Sequence, residues 1–169
     1  MKSIVLLFWR ICIFRSGPDT VPASSTFTAA VILLNALVNI VVQLILGAEQ
    51  VTLLLAVTLA VVSLAGTGAL VWFVMALMGL VNRVQQTITA IFGTDIIVTI
   101  LTSIAFAVGG SISDTVAVFA ITLLTLWSLM IYGFIFHRAM NIHIGFGIAI
   151  ALFVVIFSVA ITQTALGNP

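Results

Sequence analysis

TFTAAVILLNALVNIVVQLIL, residues Thr26 to Leu46, runs for 21 residues without a charge. A helix of that length rises about 30 Å, the thickness of bilayer hydrocarbon. The same stretch holds Asn35, Asn39 and Gln43 at four-residue steps, with Thr28 one heptad before Asn35. On a helix these fall along one face, so the segment reads as a membrane span that turns one polar stripe toward protein.

The flanking sequence extends this reading. Gly47-Ala48-Glu49-Gln50 makes a turn so short that the next span returns antiparallel. Val51 to Leu80 is uncharged for 30 residues and predicts one long, tilted or bent helix. Ala65-Gly66-Thr67-Gly68-Ala69 marks where it bends or where another helix packs closely. The third span, about residues 87–109, contains Asp95 just after Gly93 and admits two readings. Either it crosses from about Gln86 with Asp95 facing protein, or Asn82 to Thr94 lies along the interface and a shorter span starts near Asp95. Residues 115–136 and 142–164 supply the fourth and fifth spans, with His137, Arg138 and Asn141 in the turn between them.

Composition leaves no soluble alternative. Hydrophobic residues make up 63% of the 169, charged residues only 5%, and the mean hydropathy is +1.43. A soluble domain needs a polar coat that this chain cannot supply. A net charge of +1 with scattered basic residues excludes nucleic acid as a partner. The expected architecture is all-α: a polytopic transmembrane bundle of five spans (residues 24–169) preceded by a cytoplasmic interfacial helix and a Pro/Gly break (residues 1–23). Ile4, Leu7, Phe8, Ile11 and Phe14 recur at helical spacing ahead of Gly17, Pro18 and Pro22, which end that helix. Arg10 cuts its apolar run short and no small-residue cleavage site follows, so the segment is expected to be retained rather than removed as a signal peptide. Cys12 has no partner for a disulfide and reads as a small apolar residue.

This threading puts Lys2, Arg10, Arg15, Arg83 and Arg138 on one side of the membrane and Glu49 and Asp114 on the other. The positive-inside rule then predicts a cytoplasmic N-terminus and a periplasmic or extracellular C-terminus.

The polar residues inside the spans are the candidate site. Asn35, Asn39 and Gln43 on span one, Asp95 and Thr99 with Thr102 or Ser103 on span three, and Ser128 and Tyr132 with Thr122 and Thr125 on span four form stripes that are expected to meet in the bundle interior. Asp95 is the one ionisable residue placed within the hydrocarbon. A carboxylate there needs protonation, hydration or a partner, for which Arg83, His137 and Arg138 are the candidates. Small residues Ser103, Ala105, Ala107 and Gly109 permit close helix contact on span three. No G-x-S-x-G, H-E-x-x-H or P-loop occurs, and no Cys/His cluster has metal spacing, so neither enzyme activity nor a cofactor or metal is expected.

Gly17-Pro18 and Pro22, the Asn82 to Thr94 stretch with Gln85-Gln86, and Trp127-Ser128 to Tyr132-Gly133 before a basic turn give the chain a layout that resembles bacterial members of the Yip-domain family. The resemblance implies a five-span, non-enzymatic protein of the bacterial inner membrane. Eukaryotic members bind small GTPases through a longer cytosolic region. Only about 25 residues precede span one here and the acidic, tyrosine-containing motifs are missing, so GTPase binding is not carried over. The expected role is a scaffold, assembly or trafficking-type partner in the bilayer, meeting other membrane proteins through helix faces or residues 1–22. The alternative is a small transporter or proton-coupled carrier using Asp95.

Overall fold

A computed structural model describes residues 4–46 and 51–165. Lys2, the turn at 47–50 with Glu49, and Leu166 lie outside the described residues. Within them the chain is helical: α1 (Ile4–Cys12), α2 (Ser25–Leu46), α3 (Leu53–Leu77), α4 (Val84–Ile112), α5 (Asp114–Met140) and α6 (Ile144–Ala165), with 3-10 turns at Pro18–Thr20 and Val81–Arg83. Five segments are long and apolar enough to cross a membrane, namely Ser25–Leu46, Leu53–Leu77, Val81–Ile112, Asp114–Met140 and Ile144–Thr164. Their outer surface is apolar, with Leu54, Phe119 and Phe146 each at least 66% exposed. That exterior suits lipid and identifies a multi-pass membrane protein.

Local chemistry sets the helix ends. Thr52 and Ser113 cap α3 and α5 by accepting the amides of Leu55 and Val116, both at 3.3 Å. Three helices end alike, each with a left-handed residue and an amide reaching five residues back. Phe14 closes α1 at φ 61°, Gly79 closes α3 at φ 71° and Asn141 closes α5 at φ 54°. The bonds are Arg15 to Arg10 at 2.8 Å, Leu80 to Met75 at 2.9 Å and Ile142 to His137 at 3.3 Å. Glycine and asparagine suit that conformation. Phe14 does not, and its ring packs edge-on against Phe134 on α5, with centroids 5.4 Å apart.

Short connections make successive helices antiparallel. Side by side they close a ring in the order α2, α4, α5, α6, α3, with α3 returning to α2. Glycines bring α5 and α6 together: a Cβ on Gly133 would stand 2.6 Å from Ile148 Cγ1, and one on Gly147 would collide with the Gly133 carbonyl. Gly109 lies as tightly against Ala117, so this small residue of span three is used within the α4 and α5 hairpin. The expected weak point of α3 is continuous helix. Gly66 there meets Ile161 of α6, and Thr67 and Ser158 share a hydrogen bond at 2.8 Å.

The N-terminal segment docks on this ring. Phe8, Ile11 and Cys12 are buried, and a Cβ on Gly93 would occupy the position of the Phe8 ring. Gln86 donates to the Val21 carbonyl at 3.0 Å and ties the connecting strand to α4. Cover from this segment explains why residues 89–94 are buried although they precede the middle of α4. Val84 to Ile112 forms one helix that runs unbroken through Gly93 and Asp95. Phe14 lies beyond α1, and Ile4 is 57% exposed, so the apolar stripe narrows to Leu7, Phe8 and Ile11.

Cys12 is fully buried. Burial pushes its thiol up to about 12, only partly opposed by a backbone hydrogen bond. The thiolate is therefore scarce at neutral pH. Iodoacetamide at pH 8 is expected to leave Cys12 unmodified in the folded protein and to alkylate it after denaturation, as read by intact mass. An acidic group whose pKa rises on folding favours the folded state fully below the ordinary thiol value of 9.0, and that contribution is lost as pH climbs from there toward 12.

Candidate functional site: a polar lumen ending on Asp95

The ring is packed shut at one end and hollow toward the other. Met75, Ile91, Ile131, Ile135 and Phe136, all at most 1% exposed, fill the end that carries α1. Above them lies a cavity of about 450 Å³ to which all five long helices contribute. Asn35, Asn39 and Gln43 come from α2, Ser63 and Thr67 from α3, Asp95 from α4, Ser128 and Tyr132 from α5, and Ser158 and Thr162 from α6. Gln43 and Thr162 lie toward the far ends of their helices, whereas Asn35, Asp95 and Tyr132 stand at the inner floor.

Asp95 is the centre of a hydrogen-bonded cluster. Tyr132 Oη donates to its Oδ1 at 2.8 Å and Asn35 Nδ2 donates to its Oδ2 at 2.9 Å. The same Asn35 amide reaches the Phe92 carbonyl at 3.0 Å, and Asn39 Nδ2 donates to Asn35 O and Oδ1, both at 3.0 Å. Asn35 is 1% exposed, so its orientation is fixed by burial as well as by bonding. Every polar atom that is fully buried among the described side chains has a partner. A carboxylate oxygen has two acceptor positions. One protein donor on each oxygen leaves acceptor capacity at Asp95, which lines the open cavity.

The expected ion pairs are replaced by neutral donors. Arg83 gives Nη1 to the Ala139 carbonyl at 3.1 Å, capping the end of α5. Arg138 lies 5.8 Å from the Phe134 ring centroid, and His137 Nδ1 contacts the Ile142 carbonyl. The reason is distance along the helix, since Arg83 stands 12 residues, about 18 Å, before Asp95.

Six of the seven expected cluster residues line the cavity, and Thr99 does not. It belongs to an outer groove with Val98, Thr102 and Ser103. A four-residue step advances about 40° beyond a full turn, so a stripe starting at Asp95 drifts around α4. Thr122 and Thr125 are also outside. They are exposed, and their hydroxyls donate to the Val118 and Ile121 carbonyls of their own helix at 2.7 and 2.9 Å. Tyr132 points at Asp95.

Sequence reading missed Ser63, Thr67, Ser158 and Thr162. Each pair sits at i, i+4, the signal that marked Asn35 and Asn39, but lone hydroxyls in apolar spans are so often satisfied by their own backbone that they did not stand out. Among the described residues no group of three or more His, Cys, Asp or Glu would hold a metal ion. Comparison of the chain with protein-family models, curated proteins and solved structures finds no match.

Proposed function

We propose that the chain is a small-solute carrier of the bacterial inner membrane, with the lumen as its substrate site and Asp95 as the group that engages a proton or a cationic centre. The observation that carries this reading is the convergence of polar side chains from all five long helices on one cavity with a carboxylate at its floor. A carboxylate placed in a span is costly unless it is used, paired or hydrated, and intramembrane carboxylates commonly mark ion and proton paths. The cavity falls within the usual size of small-molecule sites, about 300–1,000 Å³. In this reading the N-terminus is cytoplasmic, α1 lies at the cytoplasmic headgroup layer, and the lumen opens to the outside.

The scaffold role expected from the sequence rests on polar stripes consumed in helix-to-helix bonds. A cavity between those stripes favours a ligand over a purely structural use.

Purified protein reconstituted in liposomes is expected to dissipate an imposed pH gradient, or to accumulate small cationic or polar solutes supplied as a mixture, faster than protein-free vesicles. Internal pH dyes and mass spectrometry of the vesicle contents read the result. Vesicles indistinguishable from empty ones, together with stoichiometric co-purification of another membrane protein, would overturn the carrier reading in favour of the scaffold.

A further inference from the structure

A second cleft, of about 140 Å³, lies at the end of the bundle that carries α1, and Asp19, Arg83, Gln86, Thr87 and Arg138 are among its lining residues. Among the described residues, its two guanidinium groups are positioned by contacts that leave most of their donors free. Arg83 spends Nη1 on the Ala139 carbonyl. Arg138 rests over Phe134, and its Cβ and Nε would lie 3.4 Å from a Cβ on Gly17. Among the described residues Asp19 supplies the one carboxylate in the lining, and its Oδ1 is folded over Gly17. Two cations against one acid leave the cleft net positive. The cleft also adjoins the first turn of α4, whose dipole favours an anion.

Its level in the bundle is informative. α3 ends at Leu77 and α5 at Met140, so the cleft sits where those spans leave the hydrocarbon. Planar guanidinium groups match phosphate oxygens in geometry and charge.

We propose that this cleft binds the phosphate of an anionic phospholipid headgroup, with Arg83 and Arg138 as the phosphate ligands. A basic pocket between spans at this level is a known means of retaining such lipids. Occupancy would tie the N-terminal segment, α4 and α5 together through one headgroup.

Thermal unfolding of the purified full chain in a neutral detergent tests this, with phosphatidylglycerol, phosphatidylcholine or inorganic phosphate added. Phosphatidylglycerol is expected to raise Tm by about 3–5 °C and phosphatidylcholine not to do so. R138Q leaves the Ala139 cap in place and should lose at least half of the rise, while R83Q/R138Q should lose nearly all of it. Because R83Q also removes that cap, the quantity compared is the lipid-induced rise and not the starting Tm. R10Q/R15Q, which removes charge from the same end but not from the cleft, should keep the full rise. An unchanged rise in R138Q and R83Q/R138Q, or an equal loss in R10Q/R15Q, would show diffuse attraction and overturn the site. A rise saturated by inorganic phosphate, with nothing added by phosphatidylglycerol, would keep a phosphate site and overturn its assignment to lipid.

Discussion

Asp95→Asn should lower protein-dependent solute or proton entry by about 100-fold, equivalent to ~2.8 kcal/mol, while the protein still folds. Asparagine matches the shape of the carboxylate and offers one carbonyl oxygen in place of two acceptors. It can keep Tyr132 or Asn35 as a donor, but not both in their present geometry. The charge is lost outright, and with it any means of holding a proton or a cation. Removing a carboxylate from a membrane interior also relieves a desolvation cost, so Tm should fall by little or rise. Tyr132→Phe separates charge from positioning. It leaves the carboxylate intact with one donor fewer, and the entry rate should drop about 10-fold or less, as for one hydrogen bond. Initial rates in proteoliposomes, normalised to protein inserted, measure both effects. Entry through Asp95→Asn at the wild-type rate would remove the carboxylate from the mechanism.

The largest structural effect is expected at Gly133. Its hypothetical Cβ would stand 2.6 Å from Ile148 Cγ1 and 3.0 Å from Ile148 Cα, so the obstruction includes backbone that cannot rotate away. Gly133→Val places three carbons in that gap and forces α5 from α6. Overpacking of this kind costs about 1–3 kcal/mol where side chains can adjust, and more is expected where backbone is opposed. The ring opens at one of its five seams, and the Ser128, Tyr132 and Ser158 sides of the lumen separate. In detergent the variant should melt well below wild type and elute as a broad, aggregated peak. Gly68→Ala is the matched control. It is also a glycine within a span, but nothing lies within 4 Å of its Cβ position. That change should be neutral or stabilise by about 0.5–1 kcal/mol, through reduced backbone entropy. A Gly133→Val protein with the elution and Tm of wild type would mean that α5 and α6 are not joined as described.

The spans were legible because lipid imposes a rule on sequence: about 20 apolar residues, with polar groups turned inward. Asn35, Asn39 and Gln43 announced the face of α2 that lines the cavity, since amides at four-residue steps share one helix face. Threonine and serine announce much less. Thr125 and Ser158 have the same chemistry in sequence, yet one is exposed and the other is buried against Thr67. The partner of Asp95 was misjudged for a related reason. Charge was matched to charge, whereas the helix rise keeps Arg83 away and brings neutral donors from α2 and α5 into reach. Ring order was not legible at all, because α2 beside α4 is a contact between helices that are not successive. The close approach of Gly133 and Gly147 fixes another seam that spacing within a single helix does not reveal.

Phe8 fills the notch at Gly93, beside Phe92 of the lumen wall. Whatever occupies the lumen meets a base of interlocked aliphatic and aromatic groups below Asp95. Phe8 backs that base from the N-terminal segment, which is held by side-chain contacts such as that of Gln86 with the Val21 carbonyl. On the carrier reading proposed above, docking of the amino end and the surroundings of Asp95 are coupled, because Gly93 stands two residues from that acid on one helix.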